Sequence, residues 1–206
     1  MLKIYFISTE INPFSGTSQL GSFSKEFSVT LKENKDIDIR LTQPKYGYIS
    51  NRRYILREVI RLKDLNIEFN DSYESINLKS GFIPNSRVQV YFMEHIKYFM
   101  NTSELLYKSR NGRIYSNNNE RFSFFTKSAI ETLNKLYWIP DYIICNDWQT
   151  SILPILFNQK YKKQFKNTKI IFMIHELSES YKFDNSLYEQ FQIKRDNKSK
   201  MQNNLI

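Results

Sequence analysis

The sequence has one cysteine and one alanine among 206 residues, and only five glycines, five prolines and two histidines. A disulfide needs two cysteines and a cysteine-based zinc cluster needs several, so Cys145 excludes both within the chain. No apolar run approaches the roughly 18 residues of a membrane-spanning helix, and Met1–Ser8 is too short for a secretory signal peptide. We therefore expect a cytoplasmic protein that does not associate with a membrane.

Positive charge predominates, because 30 Lys+Arg against 21 Asp+Glu give a net charge of +9. The single alanine beside 20 asparagines indicates an AT-rich genome, which itself raises the number of lysines. The densest basic cluster lies between residues 160 and 169, and Tyr161 and Phe165 among its lysines resemble a strand-binding patch. A solvated loop is the simpler interpretation, so we predict no nucleic-acid partner and leave anionic small molecules open.

The apolar pattern alternates between strands and helices, and the length suits one domain with a buried core. The predicted strands are Leu2–Ser8, Asp38–Thr42, Arg87–Met93, Tyr142–Asn146 and Lys169–Ile174, of which the first and the last two read as buried. The predicted helices are Ser18–Glu33, Asn119–Tyr137 and Thr150–Gln159. This alternation predicts an α/β fold with a Rossmann-like, doubly wound, mostly parallel sheet.

Within this pattern, residues 1–183 form the predicted domain and residues 49–87 hold an insertion or a hairpin. Residues 184–206 form a polar, helical C-terminal segment. The first helix carries one apolar stripe, which we expect to face the sheet, formed by Leu20, Phe23, Phe27 and Leu31.

Three loops follow the carboxyl ends of predicted strands, where ligands bind in doubly wound sheets. They are Thr9–Gly21, Asn146–Gln149 and His175–Leu177. The first has the glycine spacing of a P-loop without its lysine, and it is not a dinucleotide fingerprint either. Free N–H groups near Thr17–Gln19, at the start of a helix, favour an anion such as a pyrophosphate. The alternative is an ordinary N-cap by Thr17 or Ser18.

The other two loops carry Asp147, Trp148 and His175. An acid and an indole at a crevice can hydrogen-bond to a sugar and stack on it; the alternative is an N-cap aspartate beside a packing tryptophan. A lone histidine at a strand end is more often structural than catalytic, and His95 is expected at the surface. Asp36 and Asp38 imitate a metal-binding D-x-D motif but lie at the entrance of a strand, so we predict no metal site.

The order and spacing of several short blocks resemble the opening of bacterial glycogen synthases and plant starch synthases. These blocks cover roughly residues 1–48 and 88–180, and the ordered set is specific although each single block is weak. They are Lys3-Ile4, Ser8-x-Glu10, Pro13-Phe14, Thr17, Leu20, Pro44-Lys45-Tyr46, Val90-Tyr91-Phe92, Asn119-Glu120-Arg121-Phe122-x-Phe124-Phe125, Trp138-x-Pro140-Asp141, Asn146-Asp147-Trp148-Gln149-Thr150, Leu153-Pro154 and Phe172-x-Ile174-His175.

The resemblance implies transfer of glucose, with retention, from a nucleotide-glucose donor to an α-1,4-glucan, with ADP-glucose favoured over UDP-glucose. It implies the N-terminal half of a GT-B architecture, without a metal or other cofactor. By resemblance, Asp147 and His175 would line the donor-sugar pocket as catalytic residues, and Trp148 would support the pocket wall. The residues that would approach the donor pyrophosphate are Thr17, Ser18 and Gln19.

The first loop departs from the family pattern K-T-G-G-L-x-D. Gly16 stands where the family has a donor-contacting lysine, a charge-assisted contact worth about 1.5–3 kcal/mol. Ser18 and Gln19 stand where it has two glycines, and Ser22 stands for an aspartate. Other replacements are Asn146 and Gln149 for histidines and Glu176 for an asparagine.

The family's C-terminal domain, which supplies most of the nucleotide pocket, has no counterpart in the sequence. We therefore expect a truncated chain, or one that needs a separate C-terminal domain chain, and no activity of this half alone. The alternatives are a degenerate relative that binds glucan or regulates a synthase without catalysis, and a Rossmann-like domain with no retained activity.

Overall fold

The computed structural model describes residues 1–103, 105–175 and 186–194, and eight strands of these residues form one sheet. The strands are β1 (Leu2–Ile7), β2 (Ile37–Pro44), β3 (Arg57–Glu58), β4 (Leu65–Phe69), β5 (Ser72–Phe82), β6 (Gln89–Glu94), β7 (Tyr142–Asn146) and β8 (Lys169–Met173). The helices are α1 (Gln19–Glu33), α2 (Asn118–Leu136), α3 (Leu153–Leu156) and α4 (Ser186–Gln190).

The strand order is β3-β5-β6-β2-β1-β7-β8, with β4 paired to β5 beside this path. The five strands from β6 to β8 in this order are parallel, whereas β5 runs antiparallel to β6. The chain adds β2 and β6 on one side of β1, and then β7 and β8 on the other. The predicted doubly wound, mostly parallel sheet is confirmed, and its order reverses between β1 and β7.

The centre of the sheet is strand β1, in which Tyr5, Phe6 and Ile7 have no exposed surface. A parallel strand covered by helices on both faces reads as a continuous apolar run, which is why its bounds could be predicted closely. Helix α2 is buried on more than one side in its first half, where Phe122, Phe124 and Phe125 all lie in the core.

Helix α1 packs on the sheet through smaller side chains than predicted. Leu20, Ser24 and Ser28 are buried, whereas Phe23 and Phe27 are only half-buried and stack on each other at 5.3 Å. The predicted stripe is therefore only partly right. Serine allows the helix to approach the strands closely, and Ser24 Oγ lies 2.9 Å from Ser8 Oγ at the end of β1.

Residues 49–87 contain β3 and the antiparallel pair β4–β5, and β5 extends the sheet beyond β6. This arrangement corrects the expectation that His95 lies at the surface. The His95 ring is 5% exposed, packs against Tyr98 and Phe124, and has Nε2 3.1 Å from Glu74 Oε2 on β5. Burial lowers the pKa of His95, and the hydrogen bond to Glu74 opposes that shift.

Strand β8 lies at an edge among the described strands and is only partly buried, so its prediction as a buried strand is wrong. Ile171 is 38% exposed, and Ile174 just beyond the strand is 43% exposed. A run of apolar residues cannot distinguish a central strand from an edge strand. The neighbouring basic cluster is not a strand-binding patch, because Tyr161 and Phe165 are buried in the core and therefore cannot stack on bases.

The described helices include none that is long and apolar enough to cross a bilayer. Of the predicted C-terminal segment, α4 and the residues up to 194 are described. The rest of that segment, and the predicted site neighbours Glu176 and Leu177, lie outside the described residues.

Candidate active site

The ends of β1, β7 and β8 bring the first two predicted loops and His175, the described residue of the third, to one edge of the sheet. Asn146 Nδ2 donates to the carbonyl of Ile7 at 3.0 Å, which ties β7 to β1. The Asn146 Oδ1 atom lies 3.2 Å from His175 Nε2, which ties β7 to the end of β8. Phe23 of α1 contacts the His175 ring at 4.5 Å between centroids, so the helix after β1 reaches the same point.

Asp147 has a strained main chain, with φ 60° and ψ −179°. This region is nearly reserved for glycine, and a residue with a Cβ persists there only when its surroundings hold it. Here Asp147 N–H donates to the Met173 carbonyl at 2.8 Å, and the Thr150 N–H and hydroxyl donate to the Asp147 carbonyl at 3.0 and 3.2 Å. Strain held in this way is a feature of functional sites.

The Asp147 carboxylate does not cap the turn Trp148–Thr150, which excludes the N-cap alternative for this residue. Its Oδ1 accepts the main-chain N–H of His175 at 3.4 Å, and the residue is 5% exposed. The predicted acid therefore contacts the main chain of the predicted histidine, whereas the imidazole contacts Asn146.

His175 is exposed at the edge of the sheet, and its tautomer follows from its neighbour. Because Asn146 Nδ2 donates to Ile7, Asn146 presents its Oδ1 acceptor to the imidazole. Nε2 of His175 therefore donates to Asn146, and in the neutral imidazole Nδ1 is the acceptor left for a ligand hydroxyl.

Trp148 packs into the core and does not offer its ring to solvent. It is 6% exposed, and Tyr107 and Phe122 contact it edge-on, each at 5.6 Å between centroids. The neighbouring cavity of about 10 Å³ is lined partly by Asn119 and Gln149. It holds one water at most and no sugar. This favours the packing alternative for Trp148, in which it supports the wall behind Asp147.

Main-chain and hydroxyl groups of the first loop donate hydrogen bonds to a carboxylate of the same chain, that of Glu10. Glu10 has no exposed surface, and its Oε2 accepts the main-chain N–H groups of Thr17 and Ser18, the latter at 3.0 Å. Glu10 Oε1 accepts the Ser18 hydroxyl at 2.9 Å. Ser18 also caps α1, because its Oγ accepts the Leu20 N–H at 3.3 Å. The N-cap alternative therefore holds for Ser18, and neither the Thr17 nor the Ser18 amide is free.

Gly16 and Gly21 let this loop pack against the first turn of α1. A Cβ on Gly21 would lie 2.8 Å from both Gly16 Cα and the Ser15 carbonyl oxygen. A Cβ on Gly16 would lie 1.8 Å from Asn12 Oδ1, and Asn12 Nδ2 donates to Ser22 Oγ at 2.9 Å. The position of the family's lysine is thus filled by the Asn12 side chain. Thr17, Ser18 and Gln19 have exposed side chains.

A group of tyrosines under the crevice was missed by the sequence argument. Tyr107 and Thr9 share a hydrogen bond of 2.8 Å between hydroxyls, and Tyr46 donates to the Thr9 carbonyl at 2.9 Å. Burial raises the pKa of Tyr46 and of Tyr107, so both hydroxyls stay protonated. Buried Arg121 donates to Asn118 Oδ1 at 2.7 Å within α2, and it also donates to the Leu106 carbonyl, which anchors the loop before this helix. In the sequence, Arg121 was singled out only as part of the block Asn119–Phe125 that carries the resemblance.

The described residues contain no cluster of three acidic, histidine or cysteine side chains able to hold a metal ion. Asp38 of the D-x-D motif lies at the opposite edge of the sheet, where it pairs with Arg40 at 3.3 Å and accepts the Trp138 indole N–H at 3.1 Å. Its role is therefore structural.

Comparison with known proteins identifies relatives over most of the chain. The family described as starch synthase catalytic domain matches residues 3–205. The glycogen synthase of Chlorobium luteolum is 34% identical over 175 residues, which cover 84% of this chain and 35% of that protein. The glycogen synthase of Chlorobaculum parvum is 32% identical over 190 residues, which cover 91% of this chain and 38% of that protein.

One similar solved structure is the catalytic domain of starch synthase IV from Arabidopsis thaliana, bound to ADP and acarbose. The match has a TM-score of 0.71 at 24% identity and covers 85% of this chain and 34% of that one. At this identity the match shows the fold.

The chain spans little more than a third of the length of the curated relatives it matches. The family match extends over almost the whole chain, and the glycogen synthases exceed 30% identity over more than four fifths of it. The resemblance predicted from the sequence is confirmed, and the chain belongs to the starch synthase catalytic domain family.

Proposed function

We propose that this chain is the N-terminal half of a glycogen synthase-type glucosyltransferase, which moves glucose from a nucleotide-glucose donor to an α-1,4-glucan. The observation that carries the proposal is that Asp147 and His175 lie together where the strand order reverses, with the Asp147 carboxylate on the main-chain N–H of His175 and Asp147 held in a strained conformation. Family membership supports the reaction class. The ADP bound to the starch synthase IV domain supports ADP-glucose as the donor.

In this proposal Asp147 and His175 bind the transferred glucose. A carboxylate beside the sugar ring stabilises the positive charge that develops on it during glycosyl transfer. The His175 Nδ1 acceptor would orient a sugar hydroxyl, since Nε2 is held by Asn146. Trp148 and Thr150 act only by holding the Asp147 turn in place.

The donor diphosphate would lie towards the start of α1, near Thr17, Ser18 and Gln19. The rest of the nucleotide pocket would come from a C-terminal half, because this chain corresponds to 35–38% of its glycogen synthase relatives. We propose that the half described here is inactive alone and works in the cytoplasm, where the buried thiol of Cys145 stays reduced.

A transfer assay tests the proposal. The chain is combined with the C-terminal half of the Chlorobium luteolum glycogen synthase, and release of ADP or UDP from the glucose donors is measured with maltooligosaccharide as acceptor. We expect ADP release that Asp147→Asn and His175→Ala each lower at least about 100-fold. The control Glu26→Gln, an exposed residue of α1, should retain full activity. Absence of nucleoside diphosphate release from the correctly folded pair contradicts the proposal.

A second candidate function is glucan binding without catalysis. It is favoured by the first loop, where Gly16 replaces the lysine and Glu10 occupies the Thr17 and Ser18 amides. Maltooligosaccharide titration of the ¹⁵N-labelled chain, followed at the amides of Asn146, Asp147 and His175, tests it. A saturable change without glucosyl transfer supports this candidate, and no response at millimolar sugar contradicts it.

A further inference from the structure

The imidazole of His175 lies at the end of a weakly covered strand. Strand β8 pairs only with β7 among the described strands, and His175 follows β8 with an exposed side chain. An exposed side chain ordinarily exchanges between its rotamers within nanoseconds. A ring that exchanged in this way would point Nδ1 in several directions, so a defined contact with a sugar hydroxyl requires that the ring be held.

Among the described residues, the imidazole makes two contacts, and they restrain different motions. Asn146 Oδ1 lies 3.2 Å from Nε2. Because Nε2 lies close to the axis of the Cβ–Cγ bond, this hydrogen bond still allows the ring to turn about that bond and to exchange the sides of Nδ1 and Cδ2. Phe23 of α1 packs against the imidazole at 4.5 Å between centroids, with the two planes at 59°. A neighbouring ring at this distance blocks that rotation.

Phe23 is itself held by aromatic rings that begin in the core. It stacks on Phe27 at 5.3 Å with the planes at 21°, and Phe27 packs against Phe6 at 5.6 Å. Phe6 lies on β1 and has no exposed surface. Phe23 and Phe27 are one helical turn apart, so α1 fixes their spacing. A continuous line of rings therefore runs from the central strand to His175.

The position of Phe23 on α1 favours a role at the site over a role in the core. The buried face of α1 is formed by Leu20, Gly21, Ser24 and Ser28, whereas Phe23 is only half-buried. Its ring lies beside that face, on the side of His175.

We propose that Phe23 is a positioning residue that, together with Asn146, holds the His175 imidazole in one orientation with Nδ1 directed at the transferred glucose. The inference rests on the proposed function, which gives His175 its contact with the sugar. Asn146 fixes which nitrogen donates, and Phe23 fixes the plane of the ring. Phe23 acts through His175 and makes no contact with the donor.

Side-chain couplings of His175 test the proposal in a chain labelled with ¹³C,¹⁵N-histidine. The sequence has two histidines, so buried His95 serves as an internal reference for folding. In the unmodified chain we expect three-bond couplings that fit a single rotamer of His175 at χ1 and at χ2. Phe23→Leu should average the His175 couplings and leave those of His95 unchanged. Phe23→Tyr should keep the single rotamer, because its ring retains the contact.

A matched control and an activity assay separate positioning from stability. Phe172 is a half-buried residue of β8 that packs against the core, and Phe172→Leu should leave the His175 couplings unchanged. In the pair with the Chlorobium luteolum C-terminal half, Phe23→Leu should lower kcat/KM for ADP-glucose about tenfold. Phe23→Tyr and Phe172→Leu should retain the activity of the unmodified chain.

Averaged His175 couplings in the unmodified chain would overturn the inference without any variant. Couplings that Phe23→Leu leaves unchanged, or that Phe172→Leu averages equally, would also overturn it, and in each case the proposed function would stand. A pair that releases no nucleoside diphosphate would overturn the proposed function, whatever the couplings of His175.

Discussion

Asp147 shows at the scale of one residue how the fold stores strain at the candidate site. Its φ of 60° and ψ of −179° cost about 1–3 kcal/mol for a residue with a Cβ. Hydrogen bonds from Thr150 and to Met173 hold that conformation. A sequence can mark this residue as polar and beyond a buried strand, but its main-chain conformation depends on these tertiary contacts.

Two substitutions that remove the same carboxylate should therefore differ in stability. Asp147→Gly relieves the strain, whereas Asp147→Asn keeps the Cβ and the strain with it. We expect the glycine variant to have the larger free energy of unfolding by about 1–2 kcal/mol, after the entropic cost of glycine. Urea denaturation measures the difference. An asparagine variant as stable as the glycine variant would show that Asp147 is not strained.

The stability of a variant that restores the family's lysine should depend on one neighbouring side chain, that of Asn12. A Cβ at position 16 meets Asn12 Oδ1 at 1.8 Å, so Gly16→Lys must displace Asn12 from Ser22. We expect Gly16→Lys to lower the free energy of unfolding by about 1–3 kcal/mol. Adding Asn12→Ala should recover most of that loss in urea denaturation. A double variant no more stable than Gly16→Lys alone would contradict the role given to Asn12.

Glu10 illustrates why a residue's role could escape the sequence argument. The resemblance included it as part of Ser8-x-Glu10, yet its contacts with Thr17 and Ser18 span seven and eight residues of loop. The available signal was an acidic residue directly after a buried strand and before a helix start, where an anion is favourable. The prediction of free amides considered only the local sequence. In the structure, Glu10 accepts hydrogen bonds from the Thr17 and Ser18 amides.

At the scale of elements, strands β7 and β8, which lie on the side of β1 opposite β2, have different environments. β7 is covered by neighbours on both sides, whereas β8 pairs only with β7 among the described strands. Ile144 and Ile171 are register partners on these strands, and they are 3% and 38% exposed. They form a matched pair that differs mainly in burial.

Truncating these two side chains should therefore have unequal costs. We expect Ile144→Ala to lower the free energy of unfolding by about 2–5 kcal/mol, because it leaves a cavity in the core. Ile171→Ala should cost less than about 1 kcal/mol, because its side chain already contacts solvent. The measurement is urea denaturation of both variants. Comparable losses would mean that β8 is covered in solution.

The elements that could be predicted are those whose pattern is local. Strand β7 was predicted with its observed bounds, Tyr142–Asn146, and α2 was predicted within one residue at each end. Both predictions succeed because an apolar run and a helical spacing depend only on residues that are close in sequence. The sequence indicated an insertion or a hairpin within residues 49–87, but the pairing of β5 with β6 was not predicted. It depends on contacts between distant strands, and its half-buried residues alternate weakly.

At the scale of the molecule, the strand order decides where function can lie. Reversal of the order between β1 and β7 places three loop segments at one edge, and the sequence predicted that meeting from strand ends alone. A groove of about 560 Å³ lies elsewhere, between the end of α1 at Lys32 and Lys35 and the turn at Asn85 and Arg87. Size favours this groove, whereas the chemistry of Asp147 and His175 favours the carboxyl edge.

An amide titration of the ¹⁵N-labelled chain with ADP-glucose distinguishes these two positions most directly. We expect saturable shifts at Asn146, Asp147 and His175, and we expect them to be lost in Asp147→Asn. Millimolar ligand is needed because only part of the proposed pocket is in this chain. Shifts confined to the groove at Lys32, Lys35 and Arg87, or no shift at the carboxyl edge at saturating donor, would contradict the central claim that this edge binds the donor sugar.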